Sequence, residues 1–278
     1  MPLQSLERSK SVSVLEMGPL TELKPALKWA GGKRWFVPYL KNLWQPHRSR
    51  RLVEPFVGGL AVSLGLQPSE VLLNDANPHL INFYHWLQRG LKITLPMRNS
   101  RTLFNAHRQH FNTLIATNDV NSSTAAALFY YLNRTGFNGL CRFNSAGFFN
   151  VPFGAYNTIN YTKDFSAYQD VFDEWKFTTG DFERLDLEPA DFIYADPPYD
   201  VEFTKYSKDA FTWDDQIRLA NWLAEHPGPV VISNQATDRI VTLYKSLEFR
   251  LEFLKAPRRI SCDGNRTPAL EVIAFKNI

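Results

Sequence analysis

Four consecutive residues combine groups that could activate the exocyclic amine of a nucleotide base: Asp196, Pro197, Pro198 and Tyr199. Such an amine is a poor nucleophile because its lone pair is delocalised into the ring. The Asp196 carboxylate and the Pro197 carbonyl could accept its two hydrogens, which would free the lone pair. Proline rigidity fixes where the carbonyl points, and the Tyr199 ring offers a face on which an extruded base could stack.

The same four residues also have a purely structural interpretation. Two prolines cannot donate hydrogen bonds to a sheet, so they would simply end the preceding apolar run in a turn, with Tyr199 packed as core. Four specified residues recur by chance at roughly 1 in 160,000 positions, which makes the motif moderately specific even before its context is considered.

A pair of glycines, Gly58 and Gly59, follows the first apolar run, RLVEPF. Ligands bind beyond the carboxyl ends of strands in open parallel sheets, and glycines there would let the backbone approach a ligand closely. A tight turn explains the pair equally well. The full G-x-G-x-x-G fingerprint is not present, because Leu60 occupies the place of the second glycine.

Asp75 ends the second apolar run, VLLND, about 20 residues after the first. An acidic side chain at this distance often holds ribose hydroxyls. The alternative is a helix cap, because Asp or Asn ahead of Pro78 suits a helix start. The two roles can coexist, since they fall on different positions.

Short apolar runs that alternate with amphipathic stretches must position these loops. The runs RLVEPF, VLLND, DFIYAD, PVVISN and LEVIAF are typical of strands. Strands that alternate with helices predict an α/β domain with a largely parallel sheet.

That alternation fails between about residues 78 and 163, where the pattern is mainly helical and then rich in Gly, Asn and Phe. Alternating residues at 140–143 and 148–151, separated by NSAG, predict a β-hairpin. We therefore predict a flexible tail at 1–22, a catalytic domain formed by 23–77 and 164–278, and an inserted recognition domain at 78–163.

Basic residues are concentrated in this insertion. From Ala76 to Lys163 the chain has eight Lys and Arg residues against one acidic residue, Asp119, a net charge of +7. Because the formal charge of the whole chain is +3, the remainder carries −4. A basic region within an acidic frame favours a polyanionic partner such as nucleic acid. The alternative is a solvated basic face without a partner.

Composition excludes several other classes of protein. No apolar run is long enough to span a bilayer, and no secretory signal pattern opens the chain. The two cysteines, Cys141 and Cys262, have no metal-ligand spacing, and the six histidines form no ligand set. We therefore expect a cytoplasmic, monomeric protein with no metal and no membrane association.

Together the motifs resemble those of the D12-class, α-type DNA adenine-N6 methyltransferases, in particular the Dam family, which methylates adenine within GATC. The likeness covers about residues 24–278, and its motifs occur in the order LKWAGGKR (27–34), EPFVGG (54–59), NDANPHLINFY (74–84), GDF (180–182), DPPY (196–199) and SN (233–234). The segment LNRTGFNGLCRFNSAGFFNVPFG is similar to the Dam recognition hairpin. The resemblance implies a Rossmann-like S-adenosylmethionine-dependent methyltransferase sheet, with an inserted, mostly helical DNA-recognition subdomain that carries a β-hairpin.

The resemblance also implies roles for individual residues of the catalytic domain. The catalytic motif would be Asp196, Pro197, Pro198 and Tyr199. The residues that would bind S-adenosyl-L-methionine are Trp29, Lys33, Phe56, Gly58, Asp75, Asp181, Phe182 and Asp196. Among these, Asp75 would hold the ribose hydroxyls, and Asp181 with Phe182 would flank the cofactor adenine.

For the DNA side, the resemblance implies a further set of residues: Lys28, Arg134, Phe137, Asn138, Leu140, Arg142, Pro152 and Tyr156. Arg142 matches the guanine reader of the family, with two N–H donors that fit the guanine O6/N7 edge. Phe137 would be a wedge that fills space as the adenine leaves the stack. Lys28 would reach an outer base pair, and Leu140 and Pro152 would touch the thymine methyl or adjoining bases. The remaining three residues would contact phosphates or support the hairpin.

Two positions depart from the family pattern. Leu60 stands where many members have a second glycine, which puts cofactor affinity in question. Ala155 stands where an arginine often contacts DNA, so one phosphate contact would be missing. Residues 1–22 lie outside the likeness.

The reaction implied by the resemblance is direct transfer of the sulfonium methyl to N6 of a flipped adenine in double-stranded DNA, within GATC. The same motif chemistry would also serve an RNA adenine or a protein glutamine. A non-catalytic DNA-binding relative is a further alternative, and a nicotinamide oxidoreductase is a remote one. The sequence does not distinguish a role in DNA replication, in a phage or in restriction-modification.

Overall fold

The computed structural model describes residues 23–200, 211–256 and 269–278. A seven-stranded sheet forms its centre. The strands are β1 (Leu52–Glu54), β2 (Val71–Asp75), β3 (Trp175–Thr179), β4 (Phe192–Ala195), β5 (Val230–Gln235), β6 (Arg250–Ala256) and β7 (Ala269–Lys276). The tail predicted at 1–22 and Cys262 lie outside the described residues.

The strand order is β3-β2-β1-β4-β5-β7-β6. The pairs from β3 to β5 are parallel, whereas β7 runs antiparallel to both β5 and β6. This confirms the predicted α/β class with a largely parallel, Rossmann-like sheet. Since β1 lies between β2 and β4, the strand order reverses there, and ligands bind beyond the strand ends at such a switch point.

The five apolar runs of the sequence form β1, β2, β4, β5 and β7. The sequence patterns did not predict β3 and β6, which are the two edge strands of the sheet. An edge strand buries less of its surface than a central one, so its sequence carries exposed polar residues among the apolar ones. In β3, for example, Lys176 is exposed between buried Trp175 and Phe177. The weaker apolar signal explains why both strands were missed.

Eight α-helices surround the sheet in the described residues. They are α1 (Val37–Trp44), α2 (Ala61–Leu66), α3 (Pro78–Gln88), α4 (Arg101–Ala116), α5 (Ser123–Thr135), α6 (Ser166–Phe172), α7 (Trp213–Ala224) and α8 (Asp238–Ser246). Side-chain oxygens cap several starts. Asn77 accepts bonds from the first N–H groups of α3, with Pro78 as the first helical residue, and Thr212 forms a capping box with Asp215 on α7.

The hydrophobic core lies in two layers, one on each face of the sheet. Adjacent residues of β1 show the division, because Leu52 belongs to the layer that includes α1 to α6, whereas Val53 belongs to the layer that includes α7 and α8. The first layer continues from the sheet into the helices of the insertion. Burial on both faces explains why the central strands are continuous apolar runs.

Residues 78–163 contain α3, α4 and α5 followed by the Gly/Asn/Phe-rich segment, as the sequence predicted. The hairpin pairs through an antiparallel bridge between Phe143 and Phe149 rather than through regular strands. The amide of Asn144 accepts bonds from the turn N–H groups of Ala146 and Phe148, which closes the hairpin. The domain boundaries at 78 and 164 stay a prediction, since the two regions share one hydrophobic layer.

Within the described ranges, no helix is long and apolar enough to cross a membrane. The same part of the chain contains no group of three or more His, Cys, Asp or Glu residues that could hold a metal ion.

Candidate active site

The loop after β4 brings Asp196 and Tyr199 to the buried ammonium of Lys33. Lys33 Nζ lies 2.8 Å from Asp196 Oδ1 and donates to the Tyr199 hydroxyl at 2.6 Å and to the Gly31 carbonyl at 3.3 Å. These contacts use all three of its N–H groups. The side chain of Lys33 is only 2% exposed, and a buried charge is tolerated only when it is paired and hydrogen-bonded in this way.

Asp196 is held by a second strand as well. Ser233 on β5 donates to Asp196 Oδ1 at 2.9 Å, and its hydroxyl lies 2.9 Å from that of Tyr194. Among the described residues, Lys33 and Ser233 both bond the same oxygen, Oδ1. Oδ2 is therefore the oxygen that could accept a hydrogen from a substrate amine.

The prolines of the loop are anchored from α7. Gln216 donates to the Pro198 carbonyl at 2.8 Å and accepts from Asn234 at 3.0 Å, and Asn234 also bonds the Tyr244 hydroxyl. Gln216 and Asn234 are both buried. A buried amide chain of this kind fixes the loop, so the neighbouring Pro197 carbonyl has a defined direction.

Glu271, on β7, is a member of this cluster that the sequence analysis missed. The Tyr199 hydroxyl donates to Glu271 Oε1 at 2.6 Å, and Lys33 Nζ lies 3.8 Å from the same oxygen. A signal was available, because a carboxylate within the apolar run LEVIAF is unusual for a central strand. Its distance of 72 positions from Tyr199 gave no hint of the contact.

The loop after β1 meets Trp29 and Asp75. Gly58 has φ +46°, and a Cβ there would lie 2.8 Å from Trp29 Nε1, so only glycine fits. The Gly58 N–H donates to Asp75 Oδ2 at 3.1 Å, and the Asn77 N–H donates to Oδ1 at 3.0 Å. The structure therefore brings together Trp29, Gly58 and Asp75, three of the residues expected at the cofactor.

The chemistry of Asp75 suits a ribose. Burial raises the pKa of this carboxyl, and the N–H groups of Asn77 and Gly58 act in the opposite direction. Each carboxylate oxygen keeps a lone pair beyond its backbone bond, which a hydroxyl could use. Asn77, not Asp75, is the cap of α3, so the two interpretations of this segment hold at different residues.

Phe56 packs against Phe182, the residue that follows Asp181. The ring of Phe182 is buried, with its centroid 5.7 Å from that of Phe56. Asp181 Oδ2 accepts from Arg218 at 2.8 Å. Burial would raise the pKa of Asp181, but the Arg218 bond and the Glu183 N–H outweigh it, and the pKa is lowered. The ring of Phe182 is almost fully covered, whereas that of Phe56 is partly exposed.

Both departures from the family pattern fall on left-handed backbone. Leu60 has φ +61° and Ala155 has φ +49°. Non-glycine residues rarely adopt this conformation, which costs about 1–2 kcal/mol. At Leu60 the buried side chain offsets part of that cost by packing into the core.

Three of the expected DNA-contacting residues lie together: Lys28, Arg134 and Tyr156. Lys28 Nζ lies 3.8 Å from the centre of the Tyr156 ring and donates to the Arg134 carbonyl at 3.3 Å. Burial and the charge of Arg134 lower the pKa of Lys28. Gly139, with φ +64°, packs directly on this lysine, where a Cβ would overlap the Lys28 side chain. The loop that holds Trp29 and the start of the hairpin segment thus meet at Lys28.

The remaining DNA candidates lie along the hairpin. Phe137 is 43% exposed, which is unusual for a phenylalanine, and its N–H donates to the Pro152 carbonyl at 2.9 Å. Arg142 is exposed, and its Nε and Nη2 donate to the side chain and backbone of Asn150. Leu140 is partly buried against the core, and Asn138 has a left-handed backbone.

Gly58, Asp75 and Asp196 lie at or just beyond the carboxyl ends of β1, β2 and β4, at the switch point of the sheet. This is the ligand-site arrangement of the Rossmann-like α/β class. The profile of the family "D12 class N6 adenine-specific DNA methyltransferase" matches residues 29–260. The chain belongs to this family, and it is an adenine-specific DNA methyltransferase.

Curated relatives agree with this assignment. The chain is 34% identical to the Retron Ec67 DNA adenine methylase of Escherichia coli, over 89% of this chain and 90% of the relative. It is 35% identical to a DNA adenine methylase of Vibrio cholerae, over 90% and 94% of the two chains. It is 38% identical to the DNA N-6-adenine-methyltransferase of Escherichia phage P1, over 89% of this chain but 34% of that longer protein. The predicted enzyme class is confirmed.

Proposed function

We propose that this enzyme transfers the methyl group of S-adenosyl-L-methionine to N6 of an adenine within GATC in double-stranded DNA, after the adenine has been flipped out of the duplex. The observation that carries the proposal is the arrangement of Asp196 and Tyr199 around buried Lys33 at the switch point of the sheet. It supplies a hydrogen-bond acceptor and an aromatic ring at the edge where Asp75 and Gly58 lie.

The site residues fit the cofactor. The backbone at Gly58 has no room for a Cβ, and the Asp75 carboxylate has lone pairs to offer ribose hydroxyls. We propose that Trp29, Lys33 and Phe56 complete this pocket. Bound there, S-adenosyl-L-methionine supplies an electrophilic sulfonium methyl group.

The chain's own groups prepare the acceptor nitrogen. Asp196 Oδ2 accepts one N6 hydrogen and the Pro197 carbonyl accepts the other, which draws the nitrogen toward tetrahedral geometry. Tyr199 stacks on the base and holds its plane. Once the nitrogen is methylated and positively charged, its proton is acidic, and Asp196 or water accepts it. Alignment of the reacting atoms can supply about 7–11 kcal/mol of the barrier.

We propose that the hairpin reads the base sequence of the DNA. Asn150 occupies Arg142 Nε and part of Nη2, so the outer N–H groups of the guanidinium are left to donate to a guanine edge. Phe137 is the exposed wedge, Leu140 and Pro152 contact the thymine methyl or adjoining bases, and Lys28 reaches an outer base pair. Arg134, Asn138 and Tyr156 contact phosphates or support the hairpin.

The setting follows from the same proposal. We propose that the enzyme acts as a monomer in the cytoplasm of a bacterial or phage-infected cell. We propose that residues 23–77 and 164–278 bind the cofactor and carry out methyl transfer, and that residues 78–163 recognise the DNA.

The test is incorporation of label from methyl-labelled S-adenosyl-L-methionine. Four matched substrates are incubated in parallel: a duplex with one GATC site, the same duplex with that site scrambled, the RNA equivalent, and a protein mixture. The proposal expects N6-methyladenine only in the GATC duplex. Equal labelling of the scrambled duplex would reject GATC, and label in RNA or protein but not in DNA would reject the substrate class.

A further inference from the structure

The hydroxyl of Tyr199 lies between two buried groups of opposite charge. It accepts from Lys33 Nζ at 2.6 Å and donates to Glu271 Oε1 at 2.6 Å. Its single hydrogen and a lone pair are therefore both committed. Two strong, charge-assisted bonds fix the position of the ring more tightly than packing alone would.

Glu271 is not needed to build the sheet. It lies on β7, paired across to Gln235 on β5 and to Leu254 on β6. It is 4% exposed, and among the described residues its Oε2 has no hydrogen-bond partner. Well-packed apolar side chains often replace buried ion pairs without loss of stability, so the presence of an incompletely bonded carboxylate calls for a role in the site.

The charges of the cluster point to that role. One ammonium, Lys33, serves two carboxylates, with Asp196 at 2.8 Å and Glu271 at 3.8 Å. Because Lys33 is shared, Asp196 is not fully neutralised by it. The bond through Tyr199 also ties Glu271 to the ring proposed to stack on the target base.

We propose that Glu271 is a positioning residue for methyl transfer, which fixes the Tyr199 ring and holds Lys33 between two carboxylates so that Asp196 presents an acceptor oxygen to the target amine. The inference rests on the proposed function, because it assigns Glu271 a role only if Asp196 and Tyr199 hold the adenine.

The ionised form of Glu271 is the one that accepts from Tyr199 and shares Lys33. Burial raises the pKa of Glu271, and Lys33 acts in the opposite direction. The charged and titratable groups that face it are Lys33, Tyr199, Asp196 and Tyr194. Methyl transfer should therefore fall as the pH drops through this raised pKa, and a variant that cannot titrate there should lack that acidic limb.

The experiment uses the full chain with Glu271→Gln, which keeps the shape and removes the charge. Glu252→Gln is the matched control, because Glu252 lies on neighbouring β6 and also accepts from a tyrosine, Tyr39, outside the site. Single-turnover methyl transfer into the GATC duplex is measured against pH. Cofactor affinity by calorimetry and the melting temperature are measured on the same samples.

For Glu271→Gln we expect a loss of about tenfold to a hundredfold in the single-turnover rate, the range that slight misplacement of reacting groups produces. The acidic limb should disappear, and the rate should fall by a larger factor than the cofactor affinity does. Tyr199→Phe should cause a similar loss, and the double variant should be little worse than either single variant, because both remove the same bond.

Two results would overturn the inference while leaving the proposed function intact. One is a Glu271→Gln variant whose single-turnover rate and pH profile equal those of the wild-type protein. The other is fully additive losses in the double variant. Failure of the unchanged chain to methylate the duplex would instead reject the proposed function itself.

Discussion

The side chain of Asn133 bonds both backbone groups of Lys28: the Lys28 N–H donates to Oδ1 at 2.9 Å, and Nδ2 donates to the Lys28 carbonyl at 2.8 Å. Nδ2 also donates to the Gly139 carbonyl at 3.1 Å. Asn133 is buried on α5. It therefore joins the loop segment that holds Lys28 and Trp29 to Gly139, near the start of the hairpin segment. Asn133 thus links the segment of the proposed cofactor pocket to the segment proposed to read DNA.

Asn133→Ala should weaken both functions at once. Buried backbone groups left without partners cost about 1–3 kcal/mol, so we expect a loss of stability of that order. Affinity for the duplex and for S-adenosyl-L-methionine should fall together, measured by fluorescence anisotropy and calorimetry. Asn82→Ala is the control, since it removes a bond from another buried asparagine to the Ser122 carbonyl. Equal effects of the two variants on binding would argue against the connection.

Gly58→Ala should impair cofactor binding selectively. The added Cβ would lie 2.8 Å from Trp29 Nε1, on a backbone with φ +46°. Trp29 must then move, and we expect the cofactor dissociation constant to rise by about tenfold, equivalent to about 1.4 kcal/mol. Gly147→Ala is the control. Gly147 also has a positive φ, +80°, but a Cβ there would meet no neighbouring atom, so this variant introduces backbone strain without a steric clash. If both variants bind the cofactor equally well, the close approach of Gly58 to Trp29 has no role in the pocket.

Burial raises the pKa of Glu54 to about 8, opposed by its bond from Ser63. A carboxyl with a raised pKa in the folded state contributes stability that is fully present below its ordinary pKa. That contribution is lost as the pH rises through the folded value. The free energy of unfolding should thus decline between about pH 4.5 and pH 8.

Glu54→Gln should remove this decline, because glutamine mimics the protonated form and does not titrate. The difference in slope should approach about 1.4 kcal/mol per pH unit within that window. Urea unfolding at a series of pH values measures it. Parallel curves for the two proteins would show that Glu54 is ionised in the folded state at neutral pH, contrary to this prediction.

The sequence predicted the strands that are buried on both faces and the loops that follow them. It could not predict the contacts of Glu271 or Asn133, because their partners lie 72 and 105 positions away. Nothing local to either residue encodes such a contact, whereas Asp196 and Tyr199 stand in one four-residue motif. Gly58 is an intermediate case. The sequence indicated that glycine was needed at this turn, but it did not predict the contact with Trp29.

Asp196→Asn should strongly reduce turnover, and the variant should still fold and bind DNA. The amide keeps the shape of the carboxylate but removes the charge that pairs with Lys33 and could accept a proton from N6. We expect the single-turnover rate to fall by about 10²–10⁴-fold. Duplex affinity, measured by anisotropy, should change little. Retained turnover would remove Asp196 from its assigned position in the mechanism.

Arg142→Ala tests whether the hairpin reads sequence. Arg142 is exposed and held by Asn150, so its removal should not disturb the fold. A bidentate contact to guanine is worth about 1–3 kcal/mol of discrimination, and this preference should be lost at one base pair of the site. The measurement is kcat/KM on GATC and on duplexes with each position changed in turn.

Arg134→Ala is the comparison variant. Loss of a phosphate contact should weaken binding to every sequence alike, and it should lower the slope of log affinity against log salt concentration by about 1. If Arg142→Ala also lowers kcat/KM by one common factor on all the duplexes, Arg142 contacts the phosphate backbone of the DNA. The base specificity then lies elsewhere on the hairpin.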